Sequence, residues 1–231
     1  MDVRVLIGDD PGAELSDDDL EERYARPPDH VGPWLRVNMV STLDGAAQGA
    51  DGRSGGINNA ADKRVFDALR RIADCIVVGA GTLRSEGYRP ARAPLVAVSR
   101  SAEVPPLLRG AEPGRVLMAT TERAPGLGRA RSLLGVENVL VLGSYSVDLV
   151  TLKAALHDRG HTEILSEGGP ALLHRLLAEG VADELCLSLV PRLVGGDRLR
   201  IVAGSELDVS LSPTLLLEES GTLLGRWRVS R

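Results

Sequence analysis

The sequence predicts an α/β protein in which a mostly parallel sheet is flanked by helices and extended by antiparallel strands near its carboxyl end. Two observations support this fold class. From Trp34 to Glu179, short β-type runs alternate with helical segments, which is typical of a parallel sheet with helices on both faces. After residue 180, apolar runs follow one another with turns and no helices between them, which predicts antiparallel strands.

Composition places the chain among ordinary globular proteins. It has 231 residues, of which 43% are hydrophobic and 26% charged, enough for one domain with a sizeable core. No stretch approaches the roughly 18 consecutive apolar residues of a membrane span. The first residues lack the pattern of a signal peptide, and Cys75 and Cys186 lie in separate apolar runs. We therefore expect a cytoplasmic protein that does not contact a membrane.

The net charge of −5 is unevenly distributed. Residues 1–33 carry seven Asp and three Glu against three Arg, whereas the rest of the chain carries 24 basic and 22 acidic groups. A balanced body, in a chain with only six aromatic residues in all, argues against a nucleic-acid surface. Because 25 of the basic residues are arginines, binding of an anionic small molecule is the better expectation.

The first 33 residues predict an acidic arm. A strand at 3–7 precedes a turn, and Ser16 is a suitable N-cap for a short helix that carries three aspartates in its first turn. Prolines between residues 27 and 33 end that helix. We expect residues 1–33 to pack as an arm on a main domain formed by residues 34–231.

The sequence of the main domain predicts a regular succession of helices and strands. Residues 60–73 show helical spacing, with Val65, Phe66 and Leu69 on one side. The apolar run 183–190 is long enough to be an edge strand at an interface. The complete set comprises helices at 60–73, 148–159 and 170–179 and strands at 35–41, 75–79, 94–99, 115–120, 138–143, 162–167, 184–195, 198–204, 214–220 and 222–230.

Two glycine-rich turns follow predicted strands and are candidate phosphate-binding sites. The first contains Gly79, Gly81 and Thr82, and the second contains Gly168 and Gly169 followed by Pro170, Ala171 and Leu172 at the start of a helix. Glycines allow backbone amides to approach a pyrophosphate, and a helix N-terminus offers unpaired N–H groups. Glycine at such junctions also serves merely to turn the chain, and neither turn matches the spaced dinucleotide fingerprint.

Three other residues invite a functional interpretation. Ser99 and Arg100 follow a strand, where a hydroxyl and a guanidinium suit a 2′-phosphate and would select NADPH over NADH. A solvated arginine is the alternative for Arg100. Asp44 follows the first strand of the main domain and stands beside a glycine, so it is either a turn-forming carboxylate or an active-site group.

Several reaction classes lack their motifs. The two cysteines and four histidines are scattered, so we expect no zinc site and no deaminase chemistry. No G-x-S-x-G elbow and no Walker loop occurs in the sequence. The remaining alternatives are a nucleotide-binding module and a hydride-transfer enzyme in which a cofactor carries the chemistry.

Five segments occur in an order that resembles a known family: RVNMVSTLDG, DGRSGGINNAADKRVFDALR, VVGAGTL, SEGGP and VADELCLSLVPRLVGG. Together they resemble the reductase domain of riboflavin biosynthesis, the dihydrofolate-reductase-like C-terminal domain of the bifunctional deaminase/reductase. The match covers residues 34–228. The resemblance implies a mixed sheet of the dihydrofolate reductase type, a homodimer, NADPH as cofactor and a stand-alone reductase without the deaminase domain.

The implied reaction is reduction of 5-amino-6-(5-phosphoribosylamino)uracil to the ribitylamino product, by hydride transfer to C1′ of the ribosyl imine. Asp44 or Glu167 would position the proton. The resemblance assigns the substrate to Ser54, Arg70, Arg89 and Glu167, with Arg70 facing the ribose phosphate. It assigns the cofactor to Val40, Gly56, Asn58, Thr82, Glu86, both glycine turns and the 2′-phosphate ligands Ser99 and Arg100. One departure is Asn38, which stands where the bifunctional enzymes have a lysine.

Two rival functions remain at this stage. The first is a dihydrofolate reductase activity on a pteridine, for which Asp62 or Asp67 on the first main-domain helix would hold N3 and the 2-amino group. The second is a module that binds NADP without catalysis.

Overall fold

Residues 3–230 are described by a computed structural model, and within this range one sheet carries helices on both faces. The strands are β1 (Val3–Ile7), β2 (Glu14–Leu15), β3 (Trp34–Thr42), β4 (Cys75–Gly79), β5 (Leu95–Val98), β6 (Val116–Thr120), β7 (Val139–Val141), β8 (Glu163–Ser166), β9 (Glu184–Val190), β10 (Leu211–Glu219) and β11 (Thr222–Val229). The helices are α1 (Asp17–Tyr24), α2 (Ala60–Ile72), α3 (Ala80–Ser85), α4 (Leu127–Leu134), α5 (Leu149–His157) and α6 (Pro170–Ala178).

The order of the strands explains the sequence pattern. Across the sheet it is β2-β1-β10-β11-β9-β3-β8-β4-β5-β6-β7. All pairs from β9 through β3 to β7 are parallel, whereas β9, β11, β10, β1 and β2 pair antiparallel. The mixed, mostly parallel α/β class with antiparallel carboxyl-terminal strands is therefore confirmed.

Two expectations about the carboxyl-terminal part are wrong. Residues 198–204 do not form a strand, since among the described residues only an isolated bridge from Arg200 to Ala46 lies there. The run 183–190 does not form an edge, because β9 pairs with β11 on one side and β3 on the other. Its apolar character reflects burial in the middle of the sheet rather than an exposed interface.

The amino-terminal segment continues the same sheet. β1 pairs with β10, and Ser16 caps α1 through reciprocal hydrogen bonds with Asp19. Leu20 and Tyr24 of α1 are fully buried, and Arg64 of α2 forms an ion pair with an aspartate in the first turn of α1. The division at residue 33 stays a prediction about sequence organisation.

Helix α2 holds one wall of the later site in place. Asn59 caps it by accepting a hydrogen bond from the Asp62 amide, and Val65, Ala68 and Leu69 are buried against the sheet. Its bounds agree with the predicted 60–73 to within one residue. The short helices α3 and α4 were not predicted, and α3 occupies the first glycine turn itself.

Asp74, in the turn from α2 to β4, ties that turn to the start of β8. Its carboxylate accepts hydrogen bonds from the Thr162 amide at 2.7 Å, the Thr162 hydroxyl at 3.0 Å and the Glu163 amide at 2.8 Å. Burial alone would raise the pKa of Asp74, but these hydrogen bonds lower it below its ordinary value.

Replacing Asp74 by alanine is therefore expected to destabilise the protein. The free energy of unfolding should fall by about 1 kcal/mol at neutral pH, because three donors lose their acceptor. A carboxylate with a lowered pKa stabilises the fold above its unfolded-state pKa and loses that effect as the pH falls through its folded-state pKa. Denaturant unfolding of Asp74→Ala and the wild type should thus converge as the pH falls below the folded-state pKa of Asp74, which lies below that of a free aspartate. A difference that persists unchanged in acid would contradict this assignment.

Candidate active site

A cavity of about 840 Å³ opens where β4 and β8 end, beside β3 and the first three turns of α2. Ligands of parallel α/β sheets bind at the carboxyl ends of the strands, and this volume is typical of small-molecule sites. Three groups of side chains and backbone line it: a charged cluster at one end, a polar wall formed by β3 and α2, and the two glycine turns.

The charged cluster consists of Arg70, Glu167 and Tyr88. Arg70 donates from Nε and Nη2 to the two carboxylate oxygens of Glu167 at 2.6 and 2.8 Å, and the Tyr88 hydroxyl donates to Glu167 Oε2 at 2.6 Å. The guanidinium also lies 4.3 Å from the ring centroid of Phe66. These contacts hold the guanidinium in one orientation at the cavity wall.

Electrostatics keep the cluster in a defined ionisation state. Burial alone would lower the pKa of Arg70, but its hydrogen bonds to Glu167 raise it, so the guanidinium stays charged. Burial, followed by the adjacent Glu167 carboxylate, raises the pKa of Tyr88 far above its ordinary value. The phenol therefore remains a hydrogen-bond donor to Glu167.

The polar wall contains two buried acceptors. Asn38 of β3 and Asp62 of α2 are 8% and 6% exposed, and both line the cavity. Asn38 Oδ1 has no hydrogen-bond partner. Burial raises the pKa of Asp62, and a hydrogen bond with the Ser188 hydroxyl acts in the opposite direction.

The two glycine turns pack backbone against backbone. Gly79 donates its amide to the Gly168 carbonyl at 2.8 Å, and a Cβ on Gly169 would collide with the Thr82 hydroxyl. Gly169 is the N-cap of α6, and no side chain caps it. Because Pro170 has no N–H and the Leu172 and Leu173 amides donate to the Gly169 carbonyl, Ala171 supplies the N–H of the first turn that no side chain satisfies. The residues of α6 that line the cavity beside Gly169 are Pro170, Ala171 and Leu172.

The loop before α2 closes another side of the cavity. Ser54 donates its amide to Glu86 Oε1 at 2.9 Å, which joins this loop to α3. Gly56 packs so closely that a Cβ there would lie 2.7 Å from Asp51 Oδ1. Gly56 therefore shapes the loop, while its neighbours face the cavity.

Most of the residues predicted for the site meet in this cavity. Those that line it are Val40, Ser54, Asn58, Arg70, Gly79, Gly81, Thr82, Glu86, Arg89, Glu167, Gly169, Pro170, Ala171 and Leu172. Gly56 and Gly168 lie just behind its surface. Tyr88 and Phe66 were missed, because aromatic residues in a variable loop and on a core helix carry no motif.

Besides Gly56 and Gly168, three predicted residues lie outside the cavity lining: Asp44, Ser99 and Arg100. The exposed Asp44 accepts hydrogen bonds from the Thr42 hydroxyl at 2.5 Å and from the Gly195 amide at 2.7 Å, which lower its pKa. This geometry is that of a turn-forming carboxylate, not of a proton donor. Ser99 is buried with its hydroxyl 3.3 Å from that of Ser101, and Arg100 is exposed at the end of β5.

Two further kinds of feature are absent from the described residues. Among residues 3–230, no group of three or more His, Cys, Asp or Glu side chains is arranged to hold a metal ion. No helix in the same range combines the length and apolar character needed to cross a membrane.

The mixed sheet, with a cavity lined by two glycine turns and a fixed arginine at the carboxyl ends of its parallel strands, defines an α/β protein with a small-molecule site. Residues 33–225 match the family model described as the RibD C-terminal domain. The chain therefore belongs to this family, as the ordered motifs predicted, and it is an oxidoreductase of riboflavin biosynthesis.

Individual relatives agree with this assignment. The chain is 32% identical over 188 residues to the 2,5-diamino-6-ribosylamino-4(3H)-pyrimidinone 5′-phosphate reductase of Methanothermobacter thermautotrophicus, covering 76% of this chain and 86% of the relative. A pyrimidine reductase-like protein from Corynebacterium diphtheriae superimposes with a TM-score of 0.78 at 24% identity, covering 92% and 99% of the two chains. Dihydrofolate reductase from Enterococcus faecalis superimposes with a TM-score of 0.50 at 13% identity, covering 86% and 97%, which shows a shared fold.

Proposed function

We propose that this chain uses NADPH to reduce the ribosylamino group of a 5′-phosphorylated aminopyrimidine. The observation that carries the proposal is Arg70, whose guanidinium is held by Glu167 in the wall of a cavity that also contains the N-terminus of α6, which no side chain caps. A fixed guanidinium suits a phosphate ester, and a helix N-terminus suits a pyrophosphate. One cavity thereby offers sites for both a phosphorylated substrate and a dinucleotide.

The cofactor assignment is supported by the glycine turns. No side chain caps the N-terminus of α6, and Gly169 lines the cavity there, which suits close approach of a pyrophosphate. The Enterococcus faecalis neighbour is described as a complex with NADP(H). When bound, NADPH supplies the hydride that reduces C1′ of the ring-opened imine. Ser99 and Arg100 remain the proposed 2′-phosphate ligands, which a comparison of NADPH and NADH binding by calorimetry would test.

The residues of the chain have distinct proposed roles. Arg70, with Arg89 and Ser54 nearby on the cavity wall, binds the ribose phosphate. Glu167 orients Arg70, and its proposed second role is to guide a proton to the nitrogen beside C1′. Because Asp44 faces away from the cavity, Glu167 is the better of the two predicted carboxylates for this role.

The experiment is to follow NADPH oxidation with three substrates: the phosphorylated diaminopyrimidinone, the phosphorylated aminouracil and dihydrofolate. Reduction of a pyrimidine, with the ribityl product identified by mass spectrometry, is the expected result. Faster reduction of dihydrofolate would favour the pteridine alternative. NADPH binding without turnover of any substrate would favour a non-catalytic module.

Tyr88→Phe should separate the effect of orienting the Glu167 carboxylate from the effect of the charges in the cluster. The variant keeps the aromatic ring but removes the hydroxyl that donates to Glu167 Oε2. We expect kcat to fall about tenfold, because one hydrogen bond that orients the carboxylate is lost. The matched control is Tyr145→Phe, since Tyr145 is exposed and stacks on Arg123 away from the cavity. Equal kcat values for Tyr88→Phe and the wild type would refute this role.

Oligomeric state and cellular location remain predictions. The homodimer implied by the resemblance can be measured by sedimentation equilibrium. A reducing, cytoplasmic setting is compatible with Cys75 and Cys186, both of which are buried free thiols. Absence of nucleic-acid binding is tested by gel shift with DNA and RNA.

A further inference from the structure

The chain between β9 and β10 runs for 20 residues, 191–210, with one isolated bridge at Arg200 and no helix or strand. Loops of this length are uncommon in compact domains and often serve in ligand binding. The second half of the loop packs partly on the core, whereas no residue from 191 to 200 is buried, and Leu193 is 76% exposed. Apolar packing therefore does not determine the position of residues 191–200.

Hydrogen bonds attach this first half to the loop between β3 and α2. The Leu43 amide donates to the Arg192 carbonyl at 3.0 Å. The Ala47 amide donates to the Leu199 carbonyl at 2.8 Å. In the opposite direction, Arg192 donates from Nη1 to the Gly56 carbonyl at 2.8 Å. The two loops are therefore joined along the segment that lacks apolar anchors.

Asp44 holds the centre of this junction. Its Oδ2 accepts the amides of Val194 at 3.1 Å and Gly195 at 2.7 Å, while its Oδ1 accepts the Thr42 hydroxyl. Gly195 and Gly196 have φ values of +59° and +70°, and successive amides in such a turn form a concavity that binds anions. The hydrogen bonds from Thr42 and Gly195 lower the pKa of Asp44, so the turn encloses a carboxylate at neutral pH.

The joined loops form a roof over the cavity beside the first turn of α6. Ala47 from the first loop and Leu199 and Ala203 from the second line the cavity. The Ala203 amide donates to the Pro170 carbonyl at 3.3 Å, so the roof reaches the helix N-terminus proposed for the pyrophosphate. Asp44 does not line the cavity itself, and its effect on a ligand must therefore pass through the roof.

We propose that Asp44 is a positioning residue that fixes the roof over the cavity and thereby favours binding of the dinucleotide. Without the carboxylate, residues 191–200 would exchange among several positions, because no apolar side chain of this segment is buried. A protein whose binding-competent state is only fractionally populated binds its ligand more weakly by that fraction. The identity of the dinucleotide, NADPH, is taken from the proposed function, on which this inference rests.

The first test compares Asp44→Asn with the wild type in turnover with NADPH. The amide keeps the size of the side chain but removes the charge that two backbone amides share. We expect KM for NADPH to rise about tenfold, because charge-assisted hydrogen bonds to the roof are lost, while kcat stays within about threefold. Loss of a group that transfers a proton would give the opposite split, with kcat lowered and KM for NADPH retained.

The second test needs neither cofactor nor turnover. Trypsin cleaves after arginine, and Arg198 and Arg200 lie in the roof. Because cleavage of a segment follows the population of its opened form, we expect cleavage between residues 192 and 200 to be about tenfold faster in Asp44→Asn. Mass spectrometry identifies the cleaved bond, and calorimetric titration with NADPH measures the affinity directly.

Asp148→Asn is the matched control. Asp148 also has a lowered pKa and accepts a backbone amide, that of Thr151 at 2.8 Å, but it caps α5 and lies outside the cavity lining. Its replacement should change neither KM for NADPH nor cleavage of the roof. Arg192→Ala removes the contact with Gly56 from the other side of the junction, and it should raise KM for NADPH about threefold. If Asp44→Asn failed to fold, Arg192→Ala would carry both tests.

The outcomes distinguish the role of Asp44 from the proposed function. Equal KM values and equal cleavage rates for Asp44→Asn and the wild type would overturn the role of Asp44, as would a loss of kcat alone. Equal changes in Asp44→Asn and Asp148→Asn would also overturn it, because overall stability would then be the cause. A wild type that neither binds nor oxidises NADPH would overturn the proposed function, and the cleavage rates would still decide whether Asp44 fixes the roof.

Discussion

Replacing Arg70 by alanine is expected to lower kcat/KM for the phosphorylated pyrimidine by about 100- to 1,000-fold. Two physical effects add in this variant. The substrate phosphate loses the guanidinium N–H groups that do not bond Glu167, and Glu167, whose side chain is 3% exposed, loses its counter-charge. Removal of one partner from such a pair leaves an uncompensated charge in the cavity wall, which is costly even where the intact pair stabilises little.

The two effects can be separated with a substrate that lacks the phosphate. If Arg70 binds the phosphate, Arg70→Ala should lose far more on the phosphorylated pyrimidine than on its dephosphorylated ribosyl analogue. Arg70→Lys keeps the positive charge but not the fork that spans both oxygens of Glu167, so it should recover only part of the activity. A double-mutant cycle with Glu167→Gln then measures the coupling of the pair.

Arg71→Ala is the control for this experiment. Arg71 is the next residue of α2, but its guanidinium pairs with Glu21 of α1 and lies 40% exposed. Its loss should leave kcat/KM within about twofold of the wild type. Equal losses in Arg70→Ala on the phosphorylated and dephosphorylated substrates would refute the phosphate assignment while leaving the role of Arg70 in orienting Glu167.

The periodicity of apolar residues predicted the helices and strands that bury either one face or both faces along their whole length. Helix α2 has one apolar face on the sheet, and the central parallel strands are buried on both faces, so their sequences show the expected patterns. Residues 198–204 carry a similar apolar pattern but form a loop, and one bridge from Arg200 to Ala46 anchors it. Side-chain pattern does not determine whether a neighbouring strand has a free edge to pair with.

The candidate site was predictable where backbone geometry imposes a residue type. Gly79, Gly168 and Gly169 sit where two turns touch, and the ordered motifs identified them. Tyr88 could not be found in this way, because its contact with Glu167 depends on how a variable loop folds back over α2.

Asp44 illustrates how one motif can hold both structural and functional residues. It lies in the same segment as Asn38 and Val40, which face the cavity. Because β3 ends at Thr42, Asp44 belongs to the following turn and bonds the amides of Val194 and Gly195. A carboxylate that holds two loops together explains its place in the motif without a proton-transfer role.

Gly168→Ala is expected to impair cofactor binding and stability together. Gly168 has φ of +72°, a region that L residues rarely adopt, and a Cβ there would lie 2.8 Å from the sulfur of Met39. Met39 lines the cavity on β3, so relief of this contact must move either the turn or the cavity wall. We expect the free energy of unfolding to fall by about 2–3 kcal/mol and the NADPH affinity to fall at least about tenfold.

Gly160→Ala isolates the backbone contribution to that loss. Gly160 also has a positive φ, of +87°, but no atom lies within 4 Å of its hypothetical Cβ. This control should cost about 1 kcal/mol and leave the NADPH affinity unchanged. The excess loss in Gly168→Ala then measures the contact with Met39.

A double variant tests whether that contact is the cause. Met39→Ala removes the sulfur, so in its background Gly168→Ala should cost only about as much as Gly160→Ala does in the wild type. Denaturant unfolding gives the stabilities, and calorimetric titration with NADPH gives the affinities. If the cost of Gly168→Ala is the same with and without the Met39 side chain, close packing of the turn against β3 is not what requires glycine at this position.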